Sequence, residues 1–285
     1  MSIAVSRRHA LAVLGGALSG AVVGVPRASA SPLDKIRANG LLSVAVYKDY
    51  EPWSWMAEGR LVGIDVDLAG MLAQSLNVRV DVREFLAGDE LGDDLRNMVW
   101  KGTVIGQAPC DVMLHVPVDR KLQIENDRAV IAGPYYRESL AMACNRDTTD
   151  CEVPPAQLKG KRLTVETASI PDMYLSGAFG GVLRADVRHV ATGAEAVAAV
   201  AAGDADATVA TRAQIEHALG GRLTERRGPV PAIFNPGWNI GFAVKDDSRD
   251  LADELEKHVA AILSDGRMAA LCRRYGVVHR DPVLS

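Results

Sequence analysis

Apolar residues recur along this chain in two rhythms. Leu68, Met71, Leu72 and Leu76 fall at helical spacing on one face. Asp65 and Asp67 stand at the start of that run, where the first N–H groups of a helix lack partners and favour negative charge. On either side the pattern changes to short β-branched runs, and Leu42 to Val46 and Val78 to Phe85 are predicted strands. Leu95, Met98 and Val99 return to helical spacing and predict a helix over Asp93 to Lys101, followed by a strand over Asp111 to Val116. Such strand–helix alternation argues for a parallel sheet. Ligands of open α/β sheets bind beyond the carboxyl ends of the strands. The loop Tyr47 to Trp55 and the turn at His115 therefore share one rim.

The second half repeats the alternation. Ser139 to Ala143 reads as a strand crossing into a second lobe, and Lys161 to Glu166 as the next strand. Thr192-Gly193-Ala194-Glu195 reads as a capping box opening a helix over Ala194 to Ala202, which Gly203 ends. Asp206 to Ala210 is a strand, and Trp238 to Val244 reads as the return crossing. Leu251, Leu255, Val259 and Ile262, then Met268, Leu271 and Tyr275, mark two helices that pack back on the first lobe.

The first thirty residues have a different character. Arg7 and Arg8 precede a short Gly- and Ala-rich apolar segment, and Ala28-Ser29-Ala30 is a small-x-small cleavage site. This is the order of a twin-arginine export signal, and the segment is too short and too rich in glycine to span a bilayer. The expected mature chain is soluble in the periplasm and long enough for two compact lobes. Its formal charge moves from −4 to about −7 when Arg7, Arg8 and Arg27 are removed, which argues against nucleic acid or an anionic membrane as partner. In an oxidising compartment, Cys144 and Cys151 flank a polar turn-like insert and suggest a local disulfide. Cys272 lies on an apolar helix face and reads either as a buried thiol or as a partner for Cys110. No Cys or His spacing suggests a metal, and no cofactor is expected.

Gly63-Ile64-Asp65-Val66-Asp67 running into the helix to Leu76 resembles the signature of the family-3 extracellular solute-binding proteins of ABC importers. Further elements resemble that family in the same order: Pro134-Tyr135-Tyr136, Gly203-Asp204-Ala205-Asp206-Ala207, Trp238 to Val244, Asp265-Gly266 and Tyr275-Gly276-Val277. The resemblance implies an α/β two-lobe periplasmic-binding-protein fold, with two crossover strands and a ligand cleft between lobes. It places a first lobe at 31–140 and 238–285 and a second at 141–237. The implied function is binding of a small polar solute, an amino-acid-like compound, organic acid or amine, by a monomer that hands it to an inner-membrane ABC permease. No catalysis is implied.

The family resemblance also points to site residues. Asp49, Tyr50 and Trp53 occupy the loop where the family covers its ligand with an aromatic ring, and Trp53 is equally readable as core. His115 ends the third strand and reads as a ligand contact or a structural histidine. Ser169 matches the position where a ligand carboxylate meets helix-start N–H groups, with Asp172 close by. Glu166 precedes it at the strand end. The family's carboxylate-gripping Arg has no direct counterpart; Asp119 and Arg120 occupy the aligned stretch, with Arg128 further on. Thr211 and Tyr47 stand where relatives carry acids, and Arg212 beside Thr211 reads as an anion contact or a surface residue. These departures count against an ordinary α-amino acid.

A narrower resemblance covers Cys110-Asp111-Val112-Met113-Leu114-His115-Val116-Pro117. It is similar to an element of periplasmic proteins associated with quinoprotein methanol dehydrogenases, and implies a quinoprotein dehydrogenase as alternative partner. A third reading is a dehydratase-like enzyme on the same scaffold, with Glu166, His115 and Asp172 as acid–base groups; no nucleophile–base spacing supports it.

Overall fold

A computed structural model describes residues 30–230 and 237–283. The twin-arginine motif and the export segment fall almost wholly on residues 1–29, outside the described residues. In chain order the elements are α1 (Pro32–Asn39), β1 (Leu41–Tyr47), β2 (Trp55–Ala57), β3 (Arg60–Val62), α2 (Ile64–Ser75), β4 (Arg79–Phe85), α3 (Leu91–Leu95), β5 (Val112–Pro117), α4 (Arg120–Glu125), β6 (Ala129–Glu138), β7 (Leu140–Asn145), β8 (Leu163–Glu166), α5 (Ile170–Gly177), β9 (Val187–Val190), α6 (Gly193–Ala202), β10 (Ala207–Thr211), α7 (Arg212–His217), β11 (Leu223–Glu225), β12 (Trp238–Lys245), α8 (Arg249–Ser264) and α9 (Arg267–Arg274). Among the described residues no helix is long and apolar enough to cross a membrane.

Two five-stranded sheets organise the chain, in the orders β4-β1-β5-β12-β6 and β11-β7-β10-β8-β9. The expected parallel pairing holds for β4, β1 and β5. The first sheet as a whole is mixed, because the returning β12 inserts antiparallel between β5 and β6. β6 ends in the first sheet at Glu138 and β7 starts in the second at Leu140, so the chain passes between sheets at Ser139. The return pass begins at Trp238, paired with Glu138, and the two passes therefore lie side by side. A third stretch of chain joins them. Arg137 N donates to Arg280 O (3.0 Å), Val283 N to Asn239 Oδ1 (3.0 Å), and Arg280 pairs with Glu216 of α7.

The first sheet buries both faces. On one, Leu68 and Leu72 of α2 and Leu76 just after it meet Leu251, Leu255, Val259 and Ile262 of α8 and Met268 and Leu271 of α9. On the other, Phe85, Leu95, Met98, Met113 and Val116 form a separate cluster. Each fully buried side chain of this size contributes about 1.5–3 kcal/mol. The helix expected over 93–101 is α3 followed by a wider π turn (Arg96–Trp100), in which Lys101 N reaches Arg96 O at 2.8 Å; the turn keeps Met98 and Val99 buried.

Helix α2 starts on Gly63, whose φ is 138° and whose place a Cβ would contest with Trp53 O at 2.1 Å. Only glycine fits there. Asp65 and Asp67 stand in the first turn as expected; Asp65 is wholly buried and its carboxylate serves the site described below. Thr192 caps α6 by accepting from Glu195 N, whereas the Glu195 carboxylate accepts from Ala191 N, one residue before the reciprocal capping-box position. A full capping box is present at Thr211 and Gln214 of α7. Cys144 and Cys151 are joined in a disulfide with Cα atoms 5.5 Å apart. Cys110 and Cys272 are free and buried in different apolar clusters, so the alternative pairing is not formed.

Candidate functional site

A cavity of about 580 Å³ draws its walls from the ends of both sheets. From the first sheet come Tyr47 to Tyr50 at the end of β1, Leu86 to Gly88 after β4, Leu91 and Asp94 of α3, and His115 and Pro117 of β5. Glu166 ends β8, and Ala191 to Gly193 lead into α6, on the second side; Trp238 and Ile240 of the return strand form the back. A smaller recess of about 200 Å³ shares Tyr50, Glu166, Gly193 and Trp238 with it and reaches Ser169 and Thr211. Cavities of about 520 and about 470 Å³ lie beside α2 and β4 and beside the disulfide loop. Neither takes walls from both sheets, and we assign the site to the cleft.

His115 is held from beneath by a buried acid. Its Nδ1 lies 3.0 Å from Asp65 Oδ2, Tyr135 Oη donates to Asp65 Oδ1 at 2.7 Å, and the His115 backbone N–H donates to Tyr135 Oη at 2.9 Å. Both Asp65 oxygens are thus occupied, which a buried carboxylate requires. The backbone at His115 is left-handed (φ 61°), a local departure from the regular strand conformation of β5. With Nδ1 facing Asp65, Nε2 is the nitrogen left for the cavity that His115 lines. The edge of Tyr50 packs on the His115 ring at 4.9 Å, and Trp53 packs behind it at 4.6 Å.

Three carboxylates, Asp49, Asp94 and Glu166, line the cavity. Asp94 accepts from Tyr47 Oη (2.9 Å) and Gly88 N (2.8 Å). Burial lifts Asp94 above its ordinary value against those two hydrogen bonds. Glu166 accepts from Gly193 N at 3.0 Å and is likewise raised by burial. The Tyr50 phenol is pushed well up, first by burial and then by the charges of Glu138, Glu166 and Asp65. Asp49 and Lys48 line the outer part of the cavity and are exposed.

The residues singled out from sequence separate into two groups. Asp49, Tyr50, His115 and Glu166 come together in the main cavity, and Ser169 in the adjoining recess. Trp53 is fully buried in the core behind His115. Asp119 caps α4 by accepting from Lys121 N and Leu122 N, and Arg120 is exposed on that helix. Arg128 pairs with Asp246 and lies over the Trp100 ring. Arg212 pairs with Glu225 and donates to Ser139 Oγ. Asp172 turns back on its own helix, accepting from Ala168 N, Ser176 Oγ and the His189 ring. Although burial alone would raise it, these bonds hold it below the usual carboxylate range.

Asp94, Lys48 and Trp238 complete the cavity and were not singled out from sequence. Asp94 sits in a polar stretch, and its one outward signal is Tyr47, which stands where relatives of the resembled family carry an acid. Among the described residues no group of three or more His, Cys, Asp or Glu could hold a metal ion.

No family model matches the chain. Over 57 residues it is 44% identical to the cyclohexadienyl dehydratase of Pseudomonas aeruginosa; the match spans 20% of this chain and 21% of that protein. Among solved structures it is similar to an ancestral cationic amino acid solute-binding protein, with a TM-score of 0.68 and 20% identity over 86% of this chain and 99% of the other. It is also similar to an amino acid ABC transporter substrate-binding protein from Streptococcus pneumoniae bound to L-arginine, with a TM-score of 0.63 and 16% identity over 88% of this chain and 100% of the other. A third likeness, with a TM-score of 0.61 and 20% identity over 86% and 99%, is to an ancestral amino acid-binding protein described as a precursor of cyclohexadienyl dehydratase. These likenesses establish the α/β two-lobe fold of the periplasmic binding proteins.

Proposed function

We propose that this protein is the periplasmic substrate-binding component of an ABC importer, and that its lobes, 31–140 with 238–285 and 141–237, close on a small polar solute. The observation that carries the reading is the cleft. The main cavity takes walls from both sheets, and the two chain passes beside it are adjacent strands of one sheet. Adjacent passes suit a hinge, and binding then shifts an open–closed equilibrium that the permease reads. The solved relatives named for amino acid or arginine binding support the same reading.

The dehydratase match covers too little of either chain to bring its activity here, and we read the protein as a binder. The dehydrogenase partnership suggested by Cys110 to Pro117 finds less support. Cys110 and Val112 to Val116 are buried, so the matching element packs the fold and offers no outward surface to a partner.

Thermal unfolding of the mature protein against amino acids, amines, organic acids, alcohols and sugars tests the proposal. A ligand of the folded form at a hundredfold excess over its Kd stabilises by about 2.7 kcal/mol. A shift confined to one chemical class supports a receptor for that class. A flat panel rejects the import reading.

A further inference from the structure

Resting on that reading, we propose that the cleft selects a small organic base that lacks a carboxylate, such as an aliphatic amine or guanidine, over the corresponding amino acid. Three carboxylates line the main cavity, Asp49, Asp94 and Glu166, against the single ammonium of Lys48. Among the described residues no guanidinium joins them. The arginines that could replace the missing carboxylate grip are committed or outside the cavity lining: Arg128 pairs with Asp246, Arg212 with Glu225, and Arg120 is exposed on α4 and lines neither the cavity nor its recess.

The second lobe offers two helix starts beside the cleft, the usual places for a bound anion. Beside each the chain places one of its own acids. Glu166 accepts the Gly193 N–H at the head of α6, and Asp172 accepts the Ala168 N–H at the head of α5. Ser169 Oγ at the start of α5 gives its proton to Glu166 O and accepts from Asp172 N. Thr211 is likewise engaged as the cap of α7. A ligand carboxylate entering this side would have the charge of Glu166 against it. An ammonium or guanidinium would meet acceptors, with the rings of Tyr50 and Trp238 as walls suited to a cation.

Matched pairs isolate the carboxylate. Calorimetry on the mature protein compares agmatine with arginine, cadaverine with lysine and putrescine with ornithine. We expect at least one decarboxylated base to bind about tenfold or more tightly than its parent. A parent that binds as tightly as its base, or more tightly, overturns this inference and leaves the import reading standing. No binding by all six also overturns it; the import reading then falls only if the wider unfolding panel is flat too. Glu166→Gln keeps an acceptor for Gly193 N and removes the charge, and should weaken the preferred base about tenfold while the melting point of the free protein is retained. Asp49→Asn, at an exposed position, is a second variant and should weaken it in the same direction. Unchanged affinity in both variants overturns the assignment of the charges.

Discussion

Glu138 offers a direct test of the electrostatics at the crossing point. It is the last residue of β6, fully buried, and pairs across the sheet with Trp238. Oε1 accepts from Ser139 N at 2.8 Å, and Oε2 has no hydrogen-bond partner among the described residues. Burial is the largest influence and raises its pKa from 4.5 to about 8; the Ser139 and Ala213 N–H groups and Arg280 pull the other way, and Glu216 adds to the rise. Because the folded state holds this proton more tightly than the unfolded chain, the group's contribution is fully present below pH 4.5 and is lost as pH rises through about 8. Each tenfold gain in proton affinity on folding corresponds to about 1.36 kcal/mol, so the folded protein at about pH 8 carries a penalty of about 4 kcal/mol. Glu138→Gln imitates the protonated acid and removes the penalty. Urea unfolding at about pH 5 and about pH 8 should show the variant near wild type at the lower pH and about 4 kcal/mol more stable at the higher, roughly 10 °C in Tm. An advantage of equal size at both pH values, or none at either, would refute the argument, since only a proton held in the folded state produces a difference that grows with pH.

Other expectations follow from the same geometry. Tyr135→Phe leaves both the His115 N–H and one oxygen of buried Asp65 without a partner, and should cost about 2–4 kcal/mol in chemical denaturation; a cost below about half a kcal/mol would count against the arrangement. Reducing the Cys144–Cys151 bond, or replacing both residues by Ser, releases a short closed loop and should lower stability by about 2.5 kcal/mol, read as a shift in the urea midpoint at unchanged slope. For a cationic ligand, Asp94 and Glu166 must be ionised, and both are raised by burial. Affinity measured by calorimetry should therefore fall as pH is lowered from neutral, and Glu166→Gln should flatten that dependence.

How much of the molecule is legible in its sequence depends on how local each cause is. β1, β4, β5, β8 and β10 and the helices α2, α6, α8 and α9 follow from short apolar runs and helical spacing. β6 does not, because Gly133 and Pro134 interrupt its alternation; Gly133 is required where Phe242 of β12 presses against the strand, its ring 2.0 Å from where a Cβ would stand. α4 and α7 are six residues each and depend on their caps, Asp119 and Thr211. In the cleft, loop chemistry points to Tyr50, and strand ends point to His115 and Glu166. The partners that define them cannot be found by spacing. Asp65 reaches His115 across 50 residues and Tyr135 across 70, and Asp94 reaches Tyr47 across 47. The pairing of Arg128 and Arg212 is likewise a property of the packed molecule, since their acids lie on other elements.

The C-terminal segment gives the crossing point a third member. Two neighbouring strands alone define an axis about which one lobe can turn with little resistance. The segment 277–283 lies along those strands and holds Glu216 of the far side through Arg280 and the Val278 N–H. For the closure proposed above it is a tether, and the arc of the lobes would be limited by how far that ion pair can follow. Because Glu216 is buried, dissolved salt screens the pair little, and this limit belongs to the chain itself.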